Sequence, residues 1–149
     1  MMNSTLYLRI ASVLTLIHSV LHTIGGVFGK AGPGPASVAF AAMQSNKFVA
    51  MGAMRSFADY YRGLGLGITI FLTVEAIVFW QLGTLAKTHA IQLRPILATF
   101  LVAYLALAVN SFFYFFFGPV VAEILIVLCL GLAIVTARST SSAPIPVTA

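Results

Sequence analysis

Acidic side chains are nearly absent: Asp59, Glu75 and Glu123 are the only three in 149 residues. Charged residues of both signs make up 7% of the chain, against about a quarter in a soluble domain. So few charges cannot clothe a water-soluble surface at this length, which excludes a soluble enzyme or scaffold. Cysteine occurs once, as Cys129 within an apolar run. That excludes an intramolecular disulfide and a Cys-x-x-Cys metal or redox site. Basic residues outnumber acidic ones eight to three, for a net charge of +5, but they are scattered singly at the edges of apolar runs. No clustered basic stripe exists for nucleic acid. Singly placed cations at the ends of apolar runs serve helix ends and anionic headgroups.

Hydrophobic residues, at 60%, are what the chain has in quantity. A membrane-crossing helix needs about 20 mostly apolar residues. Four stretches qualify: Leu6–Phe28, Tyr61–Ala86, Pro95–Phe117 and Pro119–Ala137. The first is too long, and too poor in basic residues at its start, for a cleaved signal peptide, and no A-x-A site follows. The expected fold is therefore all-α, an integral membrane four-helix bundle over residues 1–138, with a polar, disordered tail at 139–149 (STSSAPIPVTA). Spans 3 and 4 meet at Gly118-Pro119, which predicts the turn of a helical hairpin there. Spans 1 and 2 are separated by a long loop. It opens with GKAGPGPAS, which breaks any helix, and continues with an Ala- and Met-rich stretch that predicts one or two short helices.

Orientation rests on basic residues near span ends. Arg9, Lys87, Arg94 and Arg138 fall on one side, Lys30, Lys47, Arg55 and Arg62 on the other. With Arg55 and Arg62 occupied inside the bundle, the first side prevails and both termini are cytoplasmic.

Bare polar groups in hydrocarbon cost roughly 2.5–3.5 kcal/mol for a central Asp, Lys or Arg, so they turn inward and find one another. Counting depth along each span places His22, Asp59, Arg62, Asn110 and Glu123 in the loop-side half of the membrane, and His18 and Glu75 near the middle. With Arg55, these are the candidate pocket residues; no catalytic residue is assigned. His18 and His22, in LIHSVLHTIGG, are spaced i, i+4 and lie on one helix face. Three readings stand. The rings are neutral and hydrogen-bond to Glu75, Asn110 or Tyr104; they handle a ligand or a proton; or they bind a metal or haem, with Glu75, Asp59 or Glu123 as third ligand. No zincin Glu follows His18, and no cofactor is expected.

In MRSFADYYRG, Arg55, Asp59 and Arg62 are spaced to pair on one helical face and close a lid over His22. Ser56-x-x-Asp59 also reads as a helix capping box. For Glu123, close to the start of its helix, the helix dipole is the simplest account. Gly25/Gly29 and Gly63/Gly67 form two GxxxG pairs, the pattern that lets membrane helices approach closely.

The runs LRIASVLTLIHSVLHTIGG, AMRSFADYYRGLGLGITIF and FWQLGTLA resemble a group of small bacterial four-span membrane proteins, DoxX-like in size and layout. The resemblance implies a bacterial inner-membrane protein and carries over no catalytic residue. The layout is also similar in shape to the sterol-isomerase-type four-helix bundle, whose polar residues line an intramembrane pocket. The functional expectation is an accessory or binding protein for a lipid, quinone or isoprenoid, or a subunit docked on a membrane complex. The alternatives are a membrane enzyme moving protons through His, Glu or Asp, and a small transporter working as a homo-oligomer.

Overall fold

The computed structural model describes residues 4–137. The expected polar tail and Arg138 lie outside the described residues. In chain order the elements are α1 (Ser4–Leu21), continued by a π-helical segment (His22–Val27), α2 (Pro35–Ser45), β1 (Lys47–Ala50), β2 (Ala53–Ser56), α3 (Phe57–His89), α4 (Arg94–Tyr114) and α5 (Phe117–Thr136). The fold is all-α apart from one small hairpin. Four helices are long and apolar enough to cross a membrane: Ser4–Val27, α3, α4 and α5. With 33 residues, α3 spans about 50 Å at 1.5 Å per residue, more than the roughly 30 Å of hydrocarbon.

The chain divides into two compact units. One is Leu16–Glu75; the other combines the chain up to Thr15 with the chain from Ala76 onward. In the second unit the start of α1, the end of α3, α4 and α5 enclose a core in which Leu8, Phe79, Leu97, Tyr104, Ile126 and Leu130 are fully buried. Phe79 meets Phe100 edge-on at 5.0 Å. Because lipid is as apolar as these side chains, packing and interhelical hydrogen bonds hold such helices together more than water exclusion does. The hydrogen bonds are present. Ser12 Oγ donates to the Ala76 carbonyl at 2.6 Å, and the Ser4 hydroxyl donates to the Ala133 carbonyl. Arg9 stacks 3.5 Å over the Trp80 ring and donates to Thr84 Oγ1 at 2.7 Å. Arg94 donates to the carbonyls of Ile134 (3.2 Å) and Ala137 (3.0 Å) at the end of α5, where carbonyls run short of intrahelical donors.

The turn between α4 and α5 is not at Gly118-Pro119. Extended Phe115 and Phe116 make it, and Pro119 sits in the first turn of α5. There its missing N–H is no loss and its fixed φ suits the helix.

In the unit Leu16–Glu75, α1 and α3 meet along a seam of hydroxyls. Ser19 Oγ donates to the Thr69 carbonyl at 3.1 Å and meets Thr73 Oγ1 at 2.9 Å. Thr23 Oγ1 meets Thr69 Oγ1 at 2.9 Å. At Thr23 the helix widens to π geometry, and Phe28 N–H donates back to the Thr23 carbonyl at 3.1 Å.

Of the short helices expected in the long loop, only α2 forms. Pro35 opens it at the first helical position. The stretch after it is an antiparallel hairpin with Phe48 opposite Arg55 and Val49 opposite Met54. Its two-residue turn places both Met51 (φ 49°) and Gly52 (φ 82°) in the left-handed region, the backbone of a type I′ turn. Phe48 then packs against Phe57 and Tyr60, with ring centroids 4.9 and 5.6 Å apart. These contacts tie the hairpin to the start of α3.

Candidate functional site

The candidate site lies within the unit Leu16–Glu75, where the π-helical segment, α2 and α3 converge. Its elements follow from local sequence. Gly25-Gly26 lets the end of the first span take π geometry and leaves no side chain over the ring of His22. Past Phe28 the Gly- and Pro-rich stretch turns the chain back. Pro35 starts α2, whose Ala36, Ala39, Phe40 and Met43 are spaced i, i+3, i+4, i+7 and so share one face.

That face lines an open cleft of about 240 Å³ with Gly26, Val27, Lys30 and Tyr61. A second lobe of about 380 Å³ shares Val27, Gly29, Lys30, Ala31 and Phe40 with the first and adds Phe28, Gln44 and Arg62. The lining of the first lobe is apolar apart from Lys30 and the Tyr61 hydroxyl. The second lobe adds Arg62 as a second cation. No acidic residue lines either lobe.

His22 does not line either lobe; it lies behind Gly26, which does. Its Nε2 lies 3.1 Å from the Gly65 carbonyl. A carbonyl only accepts, so Nε2 carries the proton and, in the neutral ring, Nδ1 is left as an acceptor. A Cβ added at Gly26 would sit 3.2 Å from that Nδ1, so the glycine lies directly over it. Single-turn π-helical distortions of this kind are frequent at functional sites.

The expected residues distribute as follows. His18 is half-buried one turn before His22, and its buried Nδ1 has no hydrogen-bond partner. Glu75 is half-buried on α3. Among the described residues no group of three or more His, Cys, Asp or Glu is placed to hold a metal ion, so the metal reading of His18 and His22 lacks its third ligand.

Arg55 and Asp59 do not cover His22. They line a separate hollow of about 380 Å³ against the hairpin, with Tyr60 and Leu64. Asp59 forms the capping box: its carboxylate accepts from Ser56 N–H (2.8 Å) and Ser56 Oγ (2.9 Å), while Asp59 N–H donates to Ser56 Oγ at 3.2 Å. Arg55 turns back to the carbonyl of Met54 at 2.8 Å. Of the expected trio only Arg62 reaches the cleft beneath α2. Both arginines are exposed, so neither is occupied inside the bundle, and the basic residues no longer favour one side of the membrane for the termini.

In the other unit, Asn110 is exposed on α4 instead of turning inward. Its neighbour Ser111, about 100° further round the helix, is the residue that meets the acid on α5, donating to Glu123 Oε1 at 2.9 Å. Glu123 is only 4% exposed, and its Oε2 has no hydrogen-bond partner. It is a buried side chain in the second turn of α5, close to the helix start as expected, and Ser111 holds it there.

The glycine expectation is also corrected. A Cβ at Gly25, Gly63 or Gly67 would meet nothing within 4 Å, and one at Gly29 would collide with the Gly25 carbonyl of its own segment. The close approach between spans 1 and 2 is at Gly65, where a Cβ would come 2.9 Å from Val27 Cγ2.

Several residues of the site carry little sign of that role in the sequence. Lys30 was hidden in a Gly/Pro loop, and Gly26 and Gly65 fell outside both GxxxG pairs. The hydroxyls of Ser19, Thr23, Thr69 and Thr73 did carry a signal: in two apolar spans, each pair is spaced i, i+4. No protein-family profile, curated protein or solved structure matches this chain.

Proposed function

We propose that this is a multi-pass protein of a bacterial inner membrane that binds a hydrophobic small molecule in the cleft beneath α2. One observation carries the reading. No residue of α2 is buried, yet its helical stripe Ala36, Ala39, Phe40 and Met43 is apolar and all of it faces the cleft. A helix normally spends an apolar stripe of this kind on the core. Here the stripe roofs an open space whose volume suits part of a lipid-sized molecule. Arg62 and Lys30 give that space polar points that can orient an amphiphile. Lipids, quinones and isoprenoids share the required shape: a long apolar body with one polar end.

The test is photo-crosslinking of the full chain in bilayers with a diazirine-bearing alkyl amphiphile. Adducts should concentrate on Phe40, Met43 and Tyr61, and Ala39→Phe, which fills the first lobe, should remove them. Adducts spread evenly over the lipid-facing residues of α4 and α5 would overturn the reading.

A further inference from the structure

We infer that the cleft takes an amphiphile with an anionic phosphate head, a bilayer phospholipid, and that Lys30 and Arg62 are its headgroup clamp. The inference rests on the cleft reading above and adds the chemistry of the head. It starts from charge. The chain from Lys30 to Arg62 holds four cations, Lys30, Lys47, Arg55 and Arg62, and a single acid, Asp59. That acid accepts its hydrogen bonds from Ser56 and lines the other hollow, so it acts on Arg62 only through space. No hydrogen bond or salt bridge among the described residues holds the Lys30 ammonium or the Arg62 guanidinium. Yet the two share one lobe, with the carboxamide of Gln44 on the same wall.

A guanidinium offers a planar fork of donors, an ammonium a compact charge, and a carboxamide two more N–H groups. Together they match an anion with several oxygens around one centre, which is a phosphate. The second observation is continuity. Phe40 and Lys30 belong to both lobes, so the lobe that adds Arg62 is continuous with the one lined by the apolar stripe, Met43 and Tyr61. Free phosphate would use the cations and leave the apolar lobe empty. A phospholipid fills both, head on Lys30 and Arg62, acyl chain along the α2 stripe.

Native mass spectrometry of the full chain, purified in mild detergent and equilibrated with phosphatidylglycerol or phosphatidylcholine, tests this. The expected result is preferential retention of phosphatidylglycerol. Lys30→Gln and Arg62→Gln should each reduce that preference about fivefold, the effect of one basic residue near an anionic headgroup. Lys47→Gln, a charge outside the cleft, should leave it unchanged. Both cleft cations are exposed, so the melting temperature should hold in every variant and separate binding from folding.

Equal retention of the two lipids, insensitive to Lys30→Gln and Arg62→Gln but abolished by Ala39→Phe, would overturn the anionic clamp while leaving the cleft reading in place. Retention that Ala39→Phe does not change would overturn both. Inorganic phosphate binding as tightly as the lipid would overturn the assignment of an amphiphile.

Discussion

His22 donates its Nε2 proton to the backbone carbonyl of Gly65, 3.1 Å away on the neighbouring helix. The bond fixes the tautomer of a ring that would otherwise be free to choose. In ¹⁵N spectra of the protein in bilayers, His22 should therefore give the pattern of an Nε2-protonated imidazole. An Nδ1-protonated ring would contradict the geometry. His22→Phe keeps the bulk and loses the donor, which should cost roughly 0.6–2 kcal/mol, the range for interhelical hydrogen bonds in lipid.

Gly65, not Gly67, is the glycine on which close packing depends. A methyl group at 65 must displace Val27, whose branched side chain has little freedom to turn aside. Gly65→Ala should lower the stability of the detergent-solubilised protein by about 1 kcal/mol or more. Gly67→Ala meets open space and should leave stability unchanged or raise it, since alanine is the better helix former. Equal melting temperatures for the two variants would refute the contact.

The first turn of α3 depends on Ser56. Its hydroxyl accepts from Asp59 N–H and its own N–H is taken up by the Asp59 carboxylate. Ser56→Ala should cost about 1 kcal/mol and speed amide exchange at Asp59 while leaving the middle of α3 protected. Exchange that is unchanged at Asp59 would show that the cap contributes nothing.

Glu123 should tolerate a change that Ser111 does not. Glu123→Gln keeps a carbonyl oxygen to accept from Ser111 Oγ, so thermal unfolding should shift little. Ser111→Ala removes the donor from a carboxyl group that is already short of partners at Oε2, which should cost about 1–3 kcal/mol. A larger loss with Glu123→Gln than with Ser111→Ala would reverse this ordering.

The four spans were legible because run length alone marks a membrane helix, and each observed span starts and ends within a few residues of its apolar run. What the runs could not give was rotation about the helix axis. Asn110 and Ser111 are adjacent and both polar, and only the packed structure decides that 111 faces Glu123. The same holds for the glycines of GLGLG: spacing identifies a small-residue patch, but not that Gly65 is the member facing the neighbour. The hairpin was hidden for a different reason. FVAMGAM lacks the Asn-Gly or Asp-Gly pair that announces a type I′ turn, and Met51 takes a left-handed conformation that methionine seldom adopts. The capping box was readable because it is local. The cleft was not, since it joins Lys30 and α2 to Arg62, which follows only after the hairpin and the first residues of α3.

The π-helical segment His22–Val27 has a consequence for how this chain can change over generations. A π turn holds one residue more than the α turn it replaces, so it behaves as a one-residue insertion that the helix has absorbed. Loss of Gly25, around which a Cβ would meet nothing within 4 Å, would let the segment close into ordinary helix while the residues on either side kept their places. Elsewhere in the first span, a one-residue deletion rotates everything beyond it by about 100° and turns lipid-facing side chains inward. Relatives of this protein should therefore tolerate a length difference of one residue at this point in the span, and a chain that has lost the extra residue should also have lost the wider turn beside His22.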